Sequence, residues 1–421
     1  MLRWWKQNSV VLLFLTILLF PLWANLSILL LFLIFIFSLC FRFFTDQELK
    51  KYRKTYFVIM SVYSLGFVLY EYSFVQKAPL VVLSWNAGMM VASALLLVLP
   101  SRPMKSSDIG AWSGIAIATI SSFGYILIYN CEFLSSFSVH STIFQKQNCA
   151  APALRFLSRN SLMVASMILV ISHLSLLNSG TFLRKLLGIL GYIVGFFVLV
   201  FELDSRGGAL AFILMSPIAF EYLRRREALG ARNAYLAFCS FLVAIVYFTV
   251  TLMPVEKLER FQGAYRQVLN FDTSIEIDGS AYARVVTYEA ALDAIWEAPL
   301  RGYGMSNRWN ALEPHIDTYS NENGHSNNVI LNHLLSAGVW GVVILIFLVL
   351  FPLYTKIRLP QKNRDEIFVS LVVAASLFGN GMTTAIFGHY MHSTFWACCL
   401  VFSLLIEFKS DGEISNLNQY N

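Results

Sequence analysis

The stretch LVFELDSRGGALAFILM, residues Leu199–Met215, places an arginine between two apolar runs. Each run continues beyond the quoted letters, and an apolar helix of about 20 residues is long enough to cross the roughly 30 Å hydrocarbon layer of a bilayer. The Ser-Arg-Gly-Gly sequence between the runs allows the chain to reverse at the membrane surface. The stretch therefore predicts two antiparallel membrane helices, with Arg206 at the end that they share.

Composition extends this prediction to the whole chain. Of its 421 residues, 57% are hydrophobic and 13% are charged, whereas soluble domains carry about 25% charged residues. The composition excludes an ordinary soluble protein and predicts an all-α polytopic membrane protein. The net charge of +6 is consistent with attraction to anionic headgroups and gives little reason to expect a nucleic-acid partner.

The apolar runs predict about twelve transmembrane helices. We place them near 9–24, 26–44, 56–73, 79–99, 110–130, 160–177, 186–202, 207–220, 234–252, 327–353, 366–385 and 391–408. Cytoplasmic loops are enriched in Lys and Arg, and most of the 31 basic residues fall in short cytoplasmic connections if both termini are cytoplasmic. The same orientation places the long connection 253–326 outside.

These assignments divide the chain into residues 1–252 with transmembrane helices 1–9, an outward loop domain 253–326, residues 327–408 with helices 10–12, and a cytoplasmic tail 409–421. Mixed charge, aromatic residues and turns make the loop domain the place where we expect chemistry. It contains two predicted amphipathic helices, PVEKLERFQGAYRQVLN beginning at Pro254 and SAYARVVTYEAALDAIWEAPLRGYG ending before Pro299.

Two readings of Arg206 follow from the residues alone. It can be an interfacial anchor at a tight reversal, with Gly207 and Gly208 allowing close helix approach. It can also be functional, because basic residues are disfavoured on the outer face and charged residues at membrane depth often serve function. Glu202 and Asp204 are close enough in sequence to hold its guanidinium.

A separate outward connection contains Cys131 and Cys149, which either form a disulfide or remain free thiols.

Three sequence elements follow one another along the chain. The first is SRGG at Arg206, the second is the helix from Arg284 to the Gly302-x-Gly304 turn, and the third is GHSNNVILNHLLSAGVWG. In this order they resemble the family of O-antigen ligases and O-antigen polymerases, bacterial membrane glycosyltransferases that use undecaprenyl-pyrophosphate-linked glycans. The motifs cover about 205–341, and the topology of the whole chain is similar. The resemblance implies a GT-C-like fold in the inner membrane, with a large periplasmic loop containing short helices.

The resemblance also implies roles for two arginines. Arg206 and Arg284 match the family arginines that bind the pyrophosphate of the donor. A guanidinium is permanently charged and offers a planar fork of donors that fits phosphate oxygens. It can also stabilise the charge that builds on a departing pyrophosphate. Arg301 and Arg308 could assist, but we expect both to be solvated surface residues.

The family histidine is displaced in this sequence. Counting back from Gly338 and Gly341, the family's His-Asn position holds Asn327 and Asn328, and the histidine stands two residues earlier at His325. The resemblance makes His325 the candidate catalytic base for the acceptor hydroxyl, with Asn327 and Asn328 as supporting residues. Three rivals near the same outer face are His333, His389 and His392, whereas His315 and His140 are expected to be loop residues.

The function implied is that of an O-antigen ligase, which transfers a glycan from undecaprenyl pyrophosphate to the lipid A-core oligosaccharide in lipopolysaccharide biosynthesis. No Asp-x-Asp element occurs, and we expect a metal-independent, inverting transfer without a cofactor. A polymerase using the same donor is the main alternative. A transporter or flippase is less favoured, because carriers concentrate broken or charged helices near the bilayer midplane, whereas this chain concentrates polar residues at outer helix ends.

Overall fold

The computed structural model describes most of the chain. The described residues are 2–20, 24–41, 47–75, 79–99, 102–129, 164–178, 180–199, 206–226, 231–252, 259, 262, 279–316, 326–359, 363–382, 387 and 390–408. The predicted first loop helix, apart from residues 259 and 262, and both cysteines of the proposed disulfide lie outside them.

Helices account for nearly all of the described secondary structure. They are α1 (Leu2–Leu19), α2 (Ala24–Phe41), α3 (Gln47–Tyr70) with a π-helical turn Glu71–Val75, α4 (Pro79–Val98), α5 (Ser106–Tyr129), α6 (Val164–Leu177), α7 (Phe182–Phe197), α8 (Arg206–Arg225), α9 (Ala231–Leu252), α10 (Gly279–Glu297), α11 (Arg308–Leu312) with a 3₁₀ turn Glu313–His315, α12 (Val329–Arg358), α13 (Arg364–Gly381) and α14 (Tyr390–Leu405). The second predicted loop helix is therefore present as α10, and it ends before Pro299.

Each predicted transmembrane segment overlaps one of these helices. Within the described residues, three helices are long and apolar enough to cross a membrane: Lys51–Val75, Leu80–Val98 and Val329–Arg358. Shorter apolar helices include Val164–Leu177 and Met391–Leu405. The all-α membrane class is confirmed, while the count of twelve transmembrane helices stays a prediction.

The last predicted transmembrane segment ends differently from the prediction. Residues Ile406–Phe408 form a short strand, β2, which pairs in parallel with β1 (Arg102–Met104). The strand is held by a buried ion pair, because Lys356 Nζ lies 3.0 Å from Glu366 Oε2 and also donates to the Ile406 carbonyl. Glu366 Oε1 accepts the Phe408 amide at 2.9 Å. These side chains satisfy backbone groups that a continuing helix would have paired internally.

Helices α8 and α13 pack antiparallel. At one end, a Cβ added to Gly379 would lie 2.6 Å from the Cβ of Ala211, so the two backbones approach closely there. At the other end, Arg226 forms an ion pair of 2.6 Å with Asp365. The beginning of α8, at Arg206, therefore lies at the same end of the bundle as the end of α13.

Helix α12 is broken in its N-terminal third, at Ala337 and Gly338. Gly338 has φ 61° and ψ −151°, a region that is essentially restricted to glycine. The turn that follows α10 fills the break and takes up the backbone groups that the break leaves unpaired. Three hydrogen bonds make this junction: Val339 N to Pro299 O at 2.9 Å, Tyr303 N to Leu335 O at 2.7 Å, and Gly304 N to Ser336 O at 2.9 Å.

The glycines of this junction have a steric role. Gly302 and Gly304 both have positive φ, and a Cβ on Gly302 would come within 2.7 Å of the backbone of Ala337. A Cβ on Gly338 would come within 2.5 Å of the Pro299 carbonyl oxygen. The Gly-x-Gly turn and Gly338 thus fit against one another with no room for a Cβ at Gly302 or Gly338.

Candidate functional site

The beginning of α12 and the first half of α10 meet at one end of the bundle. The Tyr288 hydroxyl donates to the Met382 carbonyl at 3.1 Å and lies 3.5 Å from the Asn327 carbonyl. Burial raises the pKa of Tyr288 above its usual value, whereas the charge of Arg284 and a hydrogen bond with Asn328 lower it. Because Arg284 is one helical turn before Tyr288, both residues lie on the same face of α10. The structure therefore brings Arg284, Asn327 and Asn328 into one neighbourhood.

The two asparagines shape the start of α12. Asn327 has φ 53°, a left-handed conformation that asparagine adopts more readily than most residues. Asn328 is the N-cap, and its Oδ1 accepts the amides of Ile330 and Leu331 at 2.9 and 3.2 Å. This cap satisfies amides at the electropositive end of the helix. The segment that follows His325 is consequently fixed in place.

A buried side chain strengthens this arrangement. Asn332 Oδ1 accepts both the amide and the hydroxyl of Ser326, each at 3.2 Å. Ser326 is fully buried, so the chain enters the protein at this residue. His325, the candidate base, lies outside the described residues, directly before this anchored point.

Arg206 is located by its backbone alone. It begins α8, and its side chain lies outside the described part of the structure. The antiparallel packing of α8 and α13 puts this backbone at the end of the bundle where Met382 accepts the Tyr288 hydroxyl. Arg206 and Arg284 therefore lie at the same end of the bundle.

A second polar cluster lies under the turn between α10 and α11. Glu71 is fully buried, and its two carboxylate oxygens accept the amide and the hydroxyl of Ser306 at 2.7 and 2.6 Å. Arg308 donates from Nε to the Met305 carbonyl at 2.9 Å. The cluster joins the end of α3 to the loop domain through buried polar contacts.

Arg308 differs from the prediction. We expected a solvated surface residue, but only 4% of Arg308 is exposed. Burial lowers the pKa of Arg308 to about 10, against the opposing effects of Tyr63 and Glu71, so the side chain remains a cation at neutral pH. The signal in the sequence was Glu71, because a carboxylate inside a predicted transmembrane segment requires a partner. Arg301 is exposed, as predicted.

The rival histidines occupy different environments. His333 is 2% exposed; its Nδ1 donates to the Val329 carbonyl at 2.5 Å, and its Nε2 therefore accepts the Tyr63 hydroxyl at 2.8 Å. With both ring nitrogens engaged, His333 must break a hydrogen bond before it can accept a proton. His392 is buried, His315 lies 3.5 Å from Glu297, and His389 is outside the described residues.

Tyr288 was missed by the sequence analysis. Its position four residues after Arg284 indicated a shared helix face, but nothing in the sequence showed that this face meets the beginning of α12.

Within the described part of the chain, no group of three or more His, Cys, Asp and Glu side chains is arranged to hold a metal ion. The cationic groups near the site are arginines.

Comparison with protein families places part of the chain beside a known family. Residues 190–346 match the sequence profile of a family described as O-antigen ligase. The matched range begins before Arg206 and ends after Gly341, so it contains all three sequence elements and the junction of α10 with α12. None of the curated proteins compared with the chain matches it significantly.

Proposed function

We propose that this membrane protein is an O-antigen ligase, because residues 190–346 match the sequence profile of a family with that description. It transfers a glycan from undecaprenyl pyrophosphate to the lipid A-core oligosaccharide at the periplasmic face of the inner membrane. The observation that carries the proposal is the convergence of Arg284, Tyr288, Asn327 and Asn328 at the outer end of α12. All four residues lie within the matched range. Met382, whose carbonyl accepts the Tyr288 hydroxyl, lies outside it.

The arginines hold the donor in this mechanism. Arg206 and Arg284 each present a planar fork of donors to the pyrophosphate oxygens. As the bond between the anomeric carbon and the pyrophosphate oxygen breaks, negative charge grows on the leaving group, and the two guanidinium groups stabilise it. They thus supply the positive charge that a metal ion supplies in other glycosyltransferases.

The acceptor is activated from the other side. An acceptor hydroxyl attacks the anomeric carbon while His325 takes its proton. Attack opposite the departing pyrophosphate inverts the anomeric centre. Asn328 and the buried Ser326 fix the backbone on the C-terminal side of His325, so they act as positioning residues.

Tyr288 has a positioning role as well. Its hydroxyl is held by the Met382 carbonyl, which ties the Arg284 face of α10 to the end of α13. Loss of this hydroxyl therefore changes the placement of Arg284 without removing a charge. A Tyr288→Phe variant should reduce transfer less than Arg284→Gln does.

A polymerase is the second candidate, since it uses the same donor and differs only in its acceptor, which is the end of another lipid-linked repeat. A flippase or transporter is less well supported, because the residues of the candidate site gather at one end of the bundle and carriers bind substrate near the bilayer midplane. The choice between ligase and polymerase therefore depends on the product.

Deletion of the gene, followed by gel analysis of lipopolysaccharide, tests the proposal. A ligase is expected to leave no glycan-capped lipopolysaccharide, whereas a polymerase is expected to leave species that carry one repeat. Complementation with the wild-type gene should restore the pattern, while Arg206→Lys and Arg284→Lys should not, although both proteins accumulate in the membrane. An unchanged pattern after deletion contradicts both candidates.

A further inference from the structure

A cleft lies between α8 and α13, at the end of the bundle opposite Arg206. Its volume is about 470 Å³. Ile218 from α8 and Ile367 and Leu371 from α13 contribute to its apolar walls, and Arg225 and Arg364 line it at the ends of the two helices. Cavities of roughly 300–1,000 Å³ with apolar walls and few polar groups are typical of small-molecule sites.

The floor of the cleft is rigid. The rings of Tyr222 and Phe368 stack with their centroids 3.8 Å apart. The Tyr222 hydroxyl donates to Asp365 Oδ1 at 2.8 Å, and Asp365 is also paired with Arg226. These contacts hold the two aromatic side chains down, so they do not rotate upward to fill the space.

The mouth of the cleft is positively charged. Glu221 is shared between Arg224 and Arg225, at 2.7 and 2.6 Å. Arg364 donates from Nη1 to the Arg225 carbonyl at 2.5 Å. Arg225 and Arg364 against Glu221 leave one net positive charge on the cleft lining, and Arg224, which contacts Glu221 from outside the lining, adds a second beside it.

The terminal guanidinium nitrogens at the mouth are directed to solvent. The Arg225 side chain is 66% exposed, and Arg364 is exposed. In the described parts of the chain, no hydrogen-bond acceptor is assigned to Nη1 or Nη2 of Arg225 or to Nη2 of Arg364. These donors are available to an external anion.

We propose that this cleft binds an anionic phospholipid of the cytoplasmic leaflet. Its phosphate lies between Arg225 and Arg364, and an acyl chain follows Ile218 and Leu371. Basic pockets between membrane helices on the cytoplasmic side bind anionic headgroups, and the excess of Lys and Arg puts this end of α8 in the cytoplasm. A free phosphate ion would use the arginines but leave the apolar walls unoccupied.

The proposed lipid site does not take part in the transfer reaction, but the lipid contacts α8, the helix that begins at Arg206, and its neighbour α13. At the cytoplasmic end, the lipid bridges α8 and α13 beside the Arg226–Asp365 ion pair. At the other end, α8 begins at Arg206. Occupancy of the cleft therefore stabilises the helix pair on which Arg206 is mounted.

Native mass spectrometry of the full-length protein in mild detergent tests the site. Phosphatidylglycerol and phosphatidylcholine are added in turn at equal concentration, and the fraction of protein retaining one lipid is measured. Wild type should retain phosphatidylglycerol several-fold better than phosphatidylcholine. The double variant R225Q/R364Q should lose this preference, whereas Arg358→Gln should keep it, because Arg358 is an exposed arginine at the end of α12 that does not line the cleft.

A second variant tests the apolar wall. Leu371→Trp fills the cleft without changing its charge and should reduce retention of both lipids. The proposal is overturned if wild type retains the two lipids equally, if R225Q/R364Q binds phosphatidylglycerol as wild type does, or if inorganic phosphate at equal concentration displaces the lipid. If the double variant fails to fold, the wild-type lipid preference and Leu371→Trp decide the matter.

Discussion

Replacement of Gly338 by alanine tests the junction between α10 and α12. The backbone at Gly338, with φ 61° and ψ −151°, costs other residues about 1–3 kcal/mol. The new Cβ would lie within 2.5 Å of the Pro299 carbonyl oxygen, so the turn must move away. That movement breaks the three backbone hydrogen bonds of the junction, each worth about 1 kcal/mol. The expected loss in free energy of unfolding is about 4–6 kcal/mol.

The measurement is thermal unfolding of the purified protein, followed by tryptophan fluorescence. One kcal/mol shifts the Tm of a 150–250-residue domain by about 2–4 °C, and roughly half as much in a chain of this length, so Tm should fall by about 4–12 °C. Gly66→Ala is the matched control, because Gly66 is an exposed helical residue with no atom within 4 Å of an added Cβ. It should leave Tm unchanged or raise it slightly. Equal Tm values for Gly338→Ala and wild type would refute the packing argument.

Three further outcomes are expected. Arg284→Lys keeps the charge but loses the fork of donors, so transfer by purified protein should fall at least tenfold; a wild-type rate would count against pyrophosphate binding. Glu71→Gln removes a charged acceptor from Ser306 and should cost about 1.5–3 kcal/mol, seen as a lower Tm, while exposed Glu289→Gln should not. Wild-type transfer is expected to fall below about pH 6.5, where a protonated imidazole cannot accept a proton. His325→Ala should transfer slowly and without this dependence on pH, and an unchanged pH profile would place the base elsewhere.

The helices could be predicted from the sequence because each apolar run is long and is separated from the next by polar residues. The family resemblance, based on three ordered elements, is confirmed by the match over 190–346. The end of α10 before Pro299 was also predictable, since proline disfavours helix in the preceding residue. These features depend on neighbouring residues alone.

The buried contacts could not be predicted in this way. Ser306 and Glu71 are 235 residues apart in sequence, and only the folded bundle shows that they meet, so the burial of Arg308 was missed. The pairing of β1 with β2 was missed because each strand has three residues, too few for an alternating pattern. The positions of Arg206, Arg284 and His325 in one site remain a prediction, since the side chains of Arg206 and His325 lie outside the described residues.

The filled break in α12 limits which parts of the protein can move during a reaction cycle. Since the turn after α10 supplies the missing backbone partners at Gly338, α10 and the outer part of α12 form one rigid body. Arg284 and the Asn327–Asn328 cap therefore keep a constant separation whether or not a substrate is present. Arg206 belongs to α8, which is not part of that body. In the proposed mechanism, we expect a long-chain donor that needs a wider opening to gain it by displacement of α8, with Arg206 closing on the pyrophosphate after the donor has entered.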